Sequence, residues 1–253
     1  MSPDLALALE LADIADSISL ARFRARDLTV ETKRDLSPVT EADLAVEQAI
    51  RTRLAAARPA DGIFGEEFGD DRTEGRRWIV DPIDGTRNYS RGVPVWGTLI
   101  ALEEDGQPTV GVASAPALGR RWWAERGEGA FADGAAIHVS RVARIEDAIL
   151  SFALDEHVPE LATRCWLARG FGDFWAHVLV AEGAVDGAVD SRGVKVWDLA
   201  AVKVIVEEAG GRFSDLDGSA RIDTGSAVSS NGVLHQELLD SLARQLKERT
   251  AAS

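Results

Sequence analysis

The chain has 253 residues but only one cysteine, Cys165, four lysines and no long apolar run. A single cysteine excludes an intramolecular disulfide and a thiolate zinc cluster, and it suits a reducing compartment. No stretch approaches the roughly 18 apolar residues of a membrane span. A secretory leader is not expected either. Leu5, Leu7, Leu9 and Leu11 are interrupted by Asp4, Glu10, Asp13 and Asp16, and no basic segment precedes them. The expected location is cytoplasmic. Positive charge is scarce as well: 42 acidic against 28 basic residues give a formal net charge of -14. That balance argues against a nucleic-acid surface and against docking on an anionic membrane. The 24 arginines are spread along the chain rather than gathered into a patch. Two readings of the acidity stay open, a well-solvated surface or a site that needs cations. The four histidines, His138, His157, His177 and His235, show no i, i+4 pair and no zinc-like spacing.

What is present is organised in two halves. The length suggests one or two domains of about 150 residues each. Helical apolar spacing covers Leu5 to Phe23 and Thr40 to Arg58, the second closed by Pro59 and Gly62. Gly62 to Gly65 and Trp78 to Val80 read as short buried strands that run straight into acidic residues. Val93 to Phe131 has the alternation and turn residues of an antiparallel meander. After Arg144 the periods alternate. Strands are expected at Ala148–Leu154, Val185–Val189, Arg212–Ser214 and Ala227–Ser230, and helices at Phe174–Glu182, Leu199–Ala209 and Leu234–Leu246. The expected plan is an α+β half, residues 1–144, followed by an α/β half, residues 145–253.

The most informative stretch is Trp78-Ile79-Val80-Asp81-Pro82-Ile83-Asp84-Gly85-Thr86. A hydrophobic strand delivers Asp81 to its end, and Pro82 biases Asp81 away from helical backbone. Asp84 is expected back on the same side, Gly85 permits a tight turn, and Thr86 opens a helix. Two carboxylates beside free amides suit a divalent cation and a phosphate together. The same dipeptides are ordinary turn formers. Glu66 and Glu67 follow the first strand. In extended backbone they would face opposite sides, leaving Glu66 as the direct ligand and Glu67 as support. Thr40 and Asp43 read either as a helix cap or as site residues, and Asp198 reads either as the N-cap of the helix from Leu199 or as a ligand.

Asp43, Glu66-Glu67, Asp81-Pro82-Ile83-Asp84-Gly85-Thr86, Trp197-Asp198 and Glu208-Ala209-Gly210-Gly211 stand in the order and approximate spacing of the inositol monophosphatase family, which the chain resembles over nearly its whole length. The resemblance implies a layered αβαβα sandwich, a magnesium-dependent, lithium-sensitive phosphomonoesterase, and commonly a homodimer. It implies that Glu66, Asp81 and the Ile83 carbonyl hold one Mg2+, that Asp81, Asp84 and Asp198 hold a second, and that a weaker third sits near Glu66. Asp43 and Thr86 would activate the attacking water, with Gly85 and Thr86 on the phosphate.

Arg91-Gly92-Val93-Pro94-Val95-Trp96 and Gly172-Asp173-Phe174-Trp175 resemble the histidinol-phosphate phosphatase branch of that family. Asp173 and Trp175 would suit a cationic amine and an imidazole better than a polyol. A helix cap and core packing are their structural alternatives. Asn88 and Asp84 are further substrate candidates. The family's usual acidic residue seven positions before the Trp-Asp aspartate is Ser191 here, so Asp190 takes that role only if the loop carries an insertion. His177 is read as a pocket residue or an ordinary half-buried histidine, Cys165 as a core residue, and Arg87 as a phosphate contact or a surface ion-pair partner. Rival expectations are a broader inositol or sugar phosphatase and a catalytically silent phosphate-ligand binder.

Overall fold

A computed structural model describes residues 1–33, 36–71, 75–153 and 160–252. Helix α1 (Pro3–Arg22) starts where Ser2 accepts the Leu5 amide, with proline at its first position. A hairpin of β1 (Val30–Thr32) and β2 (Pro38–Thr40) leads into α2 (Glu41–Ala57). Then come β3 (Gly62–Gly65), β4 (Gly69–Asp70), β5 (Arg77–Asp84) and a short α3 (Thr86–Ser90). The meander is β6 (Gly97–Glu104), β7 (Gln107–Ala115), β8 (Arg120–Glu125) and β9 (Gly129–Ala132), with β10 (Ala135–Ala136) at its edge. The second half holds β11 (Ile149–Phe152), α4 (Leu161–Arg164), β12 (Leu167–Arg169), α5 (Asp173–Ala181) and β13 (Gly187–Asp190). It continues through α6 (Val196–Glu208), β14 (Arg212–Ser214), β15 (Ala227–Ser230) and α7 (His235–Ala252).

Besides the β1–β2 hairpin, two sheets organise the described elements. One has eight strands in the order β10-β9-β8-β7-β6-β5-β3-β4, the other five in the order β12-β11-β13-β15-β14. The period of two along each strand decides what covers each face. Trp78 and Val80 of β5, with Ile100 and Leu102 of β6, pack against Leu5, Leu11, Val46 and Ile50 of α1 and α2. Ile79, Leu99 and Ala101 point the other way, into a cluster with Phe174, Val178, Leu199, Val202 and Ile205 of α5 and α6. That cluster also takes Phe213 and Ala227 from the second sheet, whose far face is covered by Leu234, Leu238 and Leu242. The result is the layered αβαβα sandwich.

Helix α6 is the shared middle layer, which explains its nearly continuous burial from Leu199 to Val206. Its start at Val196 corrects the expected start at Leu199. The meander appears where expected, with β6 to β9 paired antiparallel. The hairpin β1–β2 and the short pieces β4, β10, α4 and β12 were not expected, being two to four residues each and too brief to show a period. Leu154, the expected end of one strand, and His157 lie outside the described residues.

Candidate active site

Strands β3 and β5 run parallel, with Gly65 opposite Val80. Both therefore release their next residue at the same end of the sheet, Glu66 from one and Asp81 from the other. The Glu66 amide donates to the Val80 carbonyl at 3.2 Å and extends that pairing by one step. Asp81 and Asp84 are three residues apart, so a regular strand would send them to opposite faces. A bulge prevents this. The register against β6 shifts between Asp81 and Asp84, and Pro82, which has no amide to offer the ladder, sits inside the shift. Thr98 Oγ1 donates to the Pro82 carbonyl at 2.8 Å and fixes the irregular backbone. Gly85 then turns the chain at φ +84°, a conformation open to glycine, and α3 begins.

Asp43 and Asp198 arrive from helices. The Thr40 amide donates to Asp43 Oδ2 at 2.8 Å, so Asp43 is part of a capping box. Its other oxygen lies 3.1 Å from Thr86 Oγ1, which is also 2.9 Å from the Ile83 carbonyl. The cap and the site are thus one arrangement. Asp198 Oδ2 accepts the Lys195 amide at 2.7 Å, at the third position of α6 rather than at its N-cap. Carboxylate oxygens of Asp81, Asp84 and Asp198 come within 4.8 Å of one another.

Glu66 and Glu67 depart from expectation. They stand in a turn, not in extended backbone, and both carboxylates converge on Lys33 Nζ at 2.7 Å. Lys33 comes from the loop after β1, and no motif in the sequence had singled it out. Burial pushes Glu67 up to about 7, opposed by Lys33 and reinforced by Glu66 and Asp43.

The cluster is poorly balanced by protein charge alone. Burial, then repulsion from Glu66, Asp84 and Asp198, holds Asp81 well above the usual carboxylate range. Asp84 is raised by burial and by Asp173 and Asp198. Asp198 is pushed up to about 7 by burial, and Asp43 to about 6 by burial against the hydrogen bonds from Thr40 and Thr86. Asp81 Oδ1 is buried with no hydrogen-bond partner among the described residues. An orphaned carboxylate oxygen in a cluster of three acidic side chains fits a divalent cation, which would meet both deficits.

A cleft of about 670 Å³ opens over this cluster. Its wall includes Glu66, Asp84, Gly85, Thr86, Asn88 and Asp198, joined by Asp173, His177 and Asp190 from the second half. Asp173 opens α5 with φ 50°, an unusual backbone for a side-chain-bearing residue. Gly172 rather than Asp173 is the N-cap. The Phe174 amide donates to Asp84 Oδ2 at 2.5 Å, which ties this helix start to the turn that carries Asp84. Asn88 Nδ2 donates to the Val95 carbonyl at 2.8 Å and reaches Asp173 Oδ2 at 3.4 Å. Burial and Asp190 raise Asp173, while Arg87 and His177 oppose the rise.

His177 is fully buried, not half-buried, with Nε2 at 2.7 Å from Asp190 Oδ2 and Nδ1 at 2.7 Å from Ser229 Oγ. Asp190, not Ser191, lines the cleft. Arg87 stands exposed at the rim. Trp175 does not line the cleft. It packs on the core and meets Phe171 edge-on at 5.3 Å, and the phenylalanines in the wall are Phe171 and Phe174. Sequence spacing put Trp175 beside Asp173 but could not tell which way the first turn of α5 faces. Cys165 is partly buried against the outer core.

An acidic cluster with the geometry to hold a metal, at the end of a β-bulge in a five-layer sandwich, defines a class: the chain belongs to the inositol monophosphatase family, whose model matches residues 1–251. A histidinol-phosphatase of Mycobacterium tuberculosis is 56% identical, over 94% of this chain and 97% of that protein. Among solved structures, an IMPase of Thermotoga maritima superposes with a TM-score of 0.89 at 30% identity, covering 98% of this chain and 99% of the other. An IMPase/NADP phosphatase complexed with Mg2+ and phosphate matches with a TM-score of 0.84 at 26% identity over 94% of each chain.

Proposed function

We infer that this chain hydrolyses L-histidinol phosphate to L-histidinol and inorganic phosphate, a step of histidine biosynthesis. The observation that carries the reading is the 56% identity, over nearly the full length of both chains, to a histidinol-phosphatase. Two acidic side chains in the cleft, Asp173 and Asp190, add the chemistry expected for a substrate with a cationic amine.

Two to three Mg2+ ions are proposed, with Glu66, Asp81 and the Ile83 carbonyl holding one and Asp81, Asp84 and Asp198 another. When bound, they supply positive charge for the phosphate and for the developing leaving-group oxygen. The protein's own groups do the rest. Thr40 locks one Asp43 oxygen, and the other keeps Thr86 Oγ1 oriented for the attacking water. Asp43, raised to about 6, accepts a proton near neutral pH more readily than an ordinary aspartate. Water oxygen bonds to phosphorus and its proton passes toward Thr86 and Asp43. The ester P–O bond breaks, its electron pair stays on the alcohol oxygen, and that oxygen takes a proton from solvent water, which the proton later released by Asp43 replaces, to give histidinol. The Gly85 and Thr86 amides face the phosphate, and Asn88 steadies Asp173. His177 keeps one oxygen of Asp190 fixed so that Asp190 and Asp173 meet the amine. Residues 1–144 thus supply most ligands, and residues 145–253 supply Asp198 and substrate choice. A cytoplasmic homodimer completes the proposal. No helix among the described residues is long and apolar enough to cross a membrane.

The deciding experiment is phosphate release from a panel of esters with Mg2+ or with EDTA. Preferential turnover of histidinol phosphate, abolished by EDTA, is expected. Preference for inositol 1-phosphate would replace the substrate, and no turnover of any ester would leave a silent binder.

A further inference from the structure

Glu47 is a fully buried carboxylate on α2 that the chemistry above leaves unused. It lies one helical turn beyond Asp43, so the two share a helix face. Its Oε2 accepts the Glu67 amide at 2.7 Å, and its Oε1 accepts the Phe68 amide at 3.2 Å. Arg51, four residues on, donates from Nε to Oε1 at 2.8 Å, and its guanidinium also reaches the Gly69 carbonyl and, at 3.4 Å, Asp71. A Cβ on Gly65 would stand 2.0 Å from Glu47 Oε1, so the carboxylate occupies the space that glycine leaves. The turn that presents Glu66 is therefore gripped from below by Glu47 and from the side by the Val80 carbonyl.

We propose that Glu47, held by Arg51, is the positioning residue for Glu66, and that it sets the affinity of the cation Glu66 holds without touching cation or substrate. The inference rests on Glu66 being a ligand. Glu66 stands on a turn whose tie to the sheet is the one bond from its amide to the Val80 carbonyl. The part-buried amides of Glu67 and Phe68 share one carboxylate as their acceptor. Arg51 offsets the buried charge, so the grip acts through geometry rather than through a net field at the site. Without it the amides seek other partners and Glu66 shifts relative to Asp81.

Mn2+ serves as the probe, with free Mn2+ read by electron paramagnetic resonance on the full chain without substrate. Glu66→Gln identifies the class of bound ion that depends on Glu66. In Glu47→Gln that class is expected to weaken by about tenfold or more, while the class held by Asp81, Asp84 and Asp198 stays within about twofold. Gly65→Ala moves the same class in the same direction, because the added Cβ displaces the carboxylate. Glu208 is the control. Its carboxylate also holds two backbone amides, Gly127 at 3.0 Å and Gly129 at 2.9 Å, about 15 Å along α6 from Asp198. Glu208→Gln lowers the melting temperature and moves neither class. An unchanged Glu66 class in folded Glu47→Gln overturns the proposal, as does equal weakening of both classes. Should Glu47→Gln not fold, Arg51→Lys answers the same question by loosening the grip, and an unchanged class again overturns it. If Glu66→Gln moves no class, the ligand assignment fails first and takes the inference with it.

Discussion

Asp84 meets two demands at once. One oxygen accepts the Phe174 amide, and the carboxylate faces Asp81 and Asp198. Asparagine keeps an acceptor for that amide but removes the charge. Asp84→Asn is therefore expected to lower kcat by about 100-fold or more with an unchanged circular dichroism spectrum. A kcat close to the parent's takes Asp84 out of the ligand set. Asp173 needs a different substitution logic. Its backbone is left-handed, which asparagine tolerates, so Asp173→Asn isolates the charge. The KM for histidinol phosphate is expected to rise roughly tenfold while that for a neutral phosphate ester stays nearly level. Equal rises for both would make Asp173 a brace for α5 and not a substrate contact.

Among the elements, α7 carries a buried histidine at its start. His235 sits between Ser214 Oγ and Ser230 Oγ, each at 2.9 Å. Burial, helped by Arg212, pushes its pKa down from 6.5 to about 4. The unfolded chain takes up this proton near pH 6.5, and the folded chain refuses it until about 4. Stability is thus fully present above pH 6.5 and is lost as pH falls toward 4, by up to about 3 kcal/mol. Urea titrations across that window are expected to show a slope in the parent that His235→Gln flattens. Identical slopes would place the acid sensitivity elsewhere. The elements were mostly legible in the sequence because their apolar periods are strong, as in Trp78-Ile79-Val80 or the buried run of α6. The candidate site was legible where acidic residues sit next to such periods. Asp81 and Asp84 were singled out that way, although the reason they share a side is a bulge and not simple alternation. Lys33, Glu47 and the His177–Asp190–Ser229 chain were not legible. Their meaning lies in contacts between segments distant along the chain, and each residue by itself looks like an ordinary cap, helix face or core polar group. Trp175 failed for a related reason: adjacency in sequence does not set which side of a helix start meets the cleft.

For the whole molecule, the charge of -14 divides into a broadly acidic surface and a concentrated cluster. Asp43, Glu66, Glu67, Asp81, Asp84 and Asp198 account for six of the acids. The cluster repels itself, so it stabilises the fold only when cations are bound. In EDTA, Asp84→Asn is expected to melt a few degrees above the parent, since each kcal/mol is worth about 2–4 °C in a chain of this size. With saturating Mg2+ the order reverses. The same order in both buffers would show that the cluster is not the molecule's point of strain.

The place of α6 between the two sheets carries one last consequence. Asp198 reaches from this middle layer to the end of β5, where Asp81 and Asp84 wait on the larger sheet. A cation shared by the three would be a rivet driven through two layers that otherwise meet mainly by apolar contact, with Glu208 bonded to the Gly127 and Gly129 amides at the far end of α6. Binding such a cation would couple the register of the two layers at that end of α6. Hydrogen exchange of the α6 amides should slow on adding Mg2+, well beyond the residues that touch it, and the loaded molecule should resist being pulled apart along that seam.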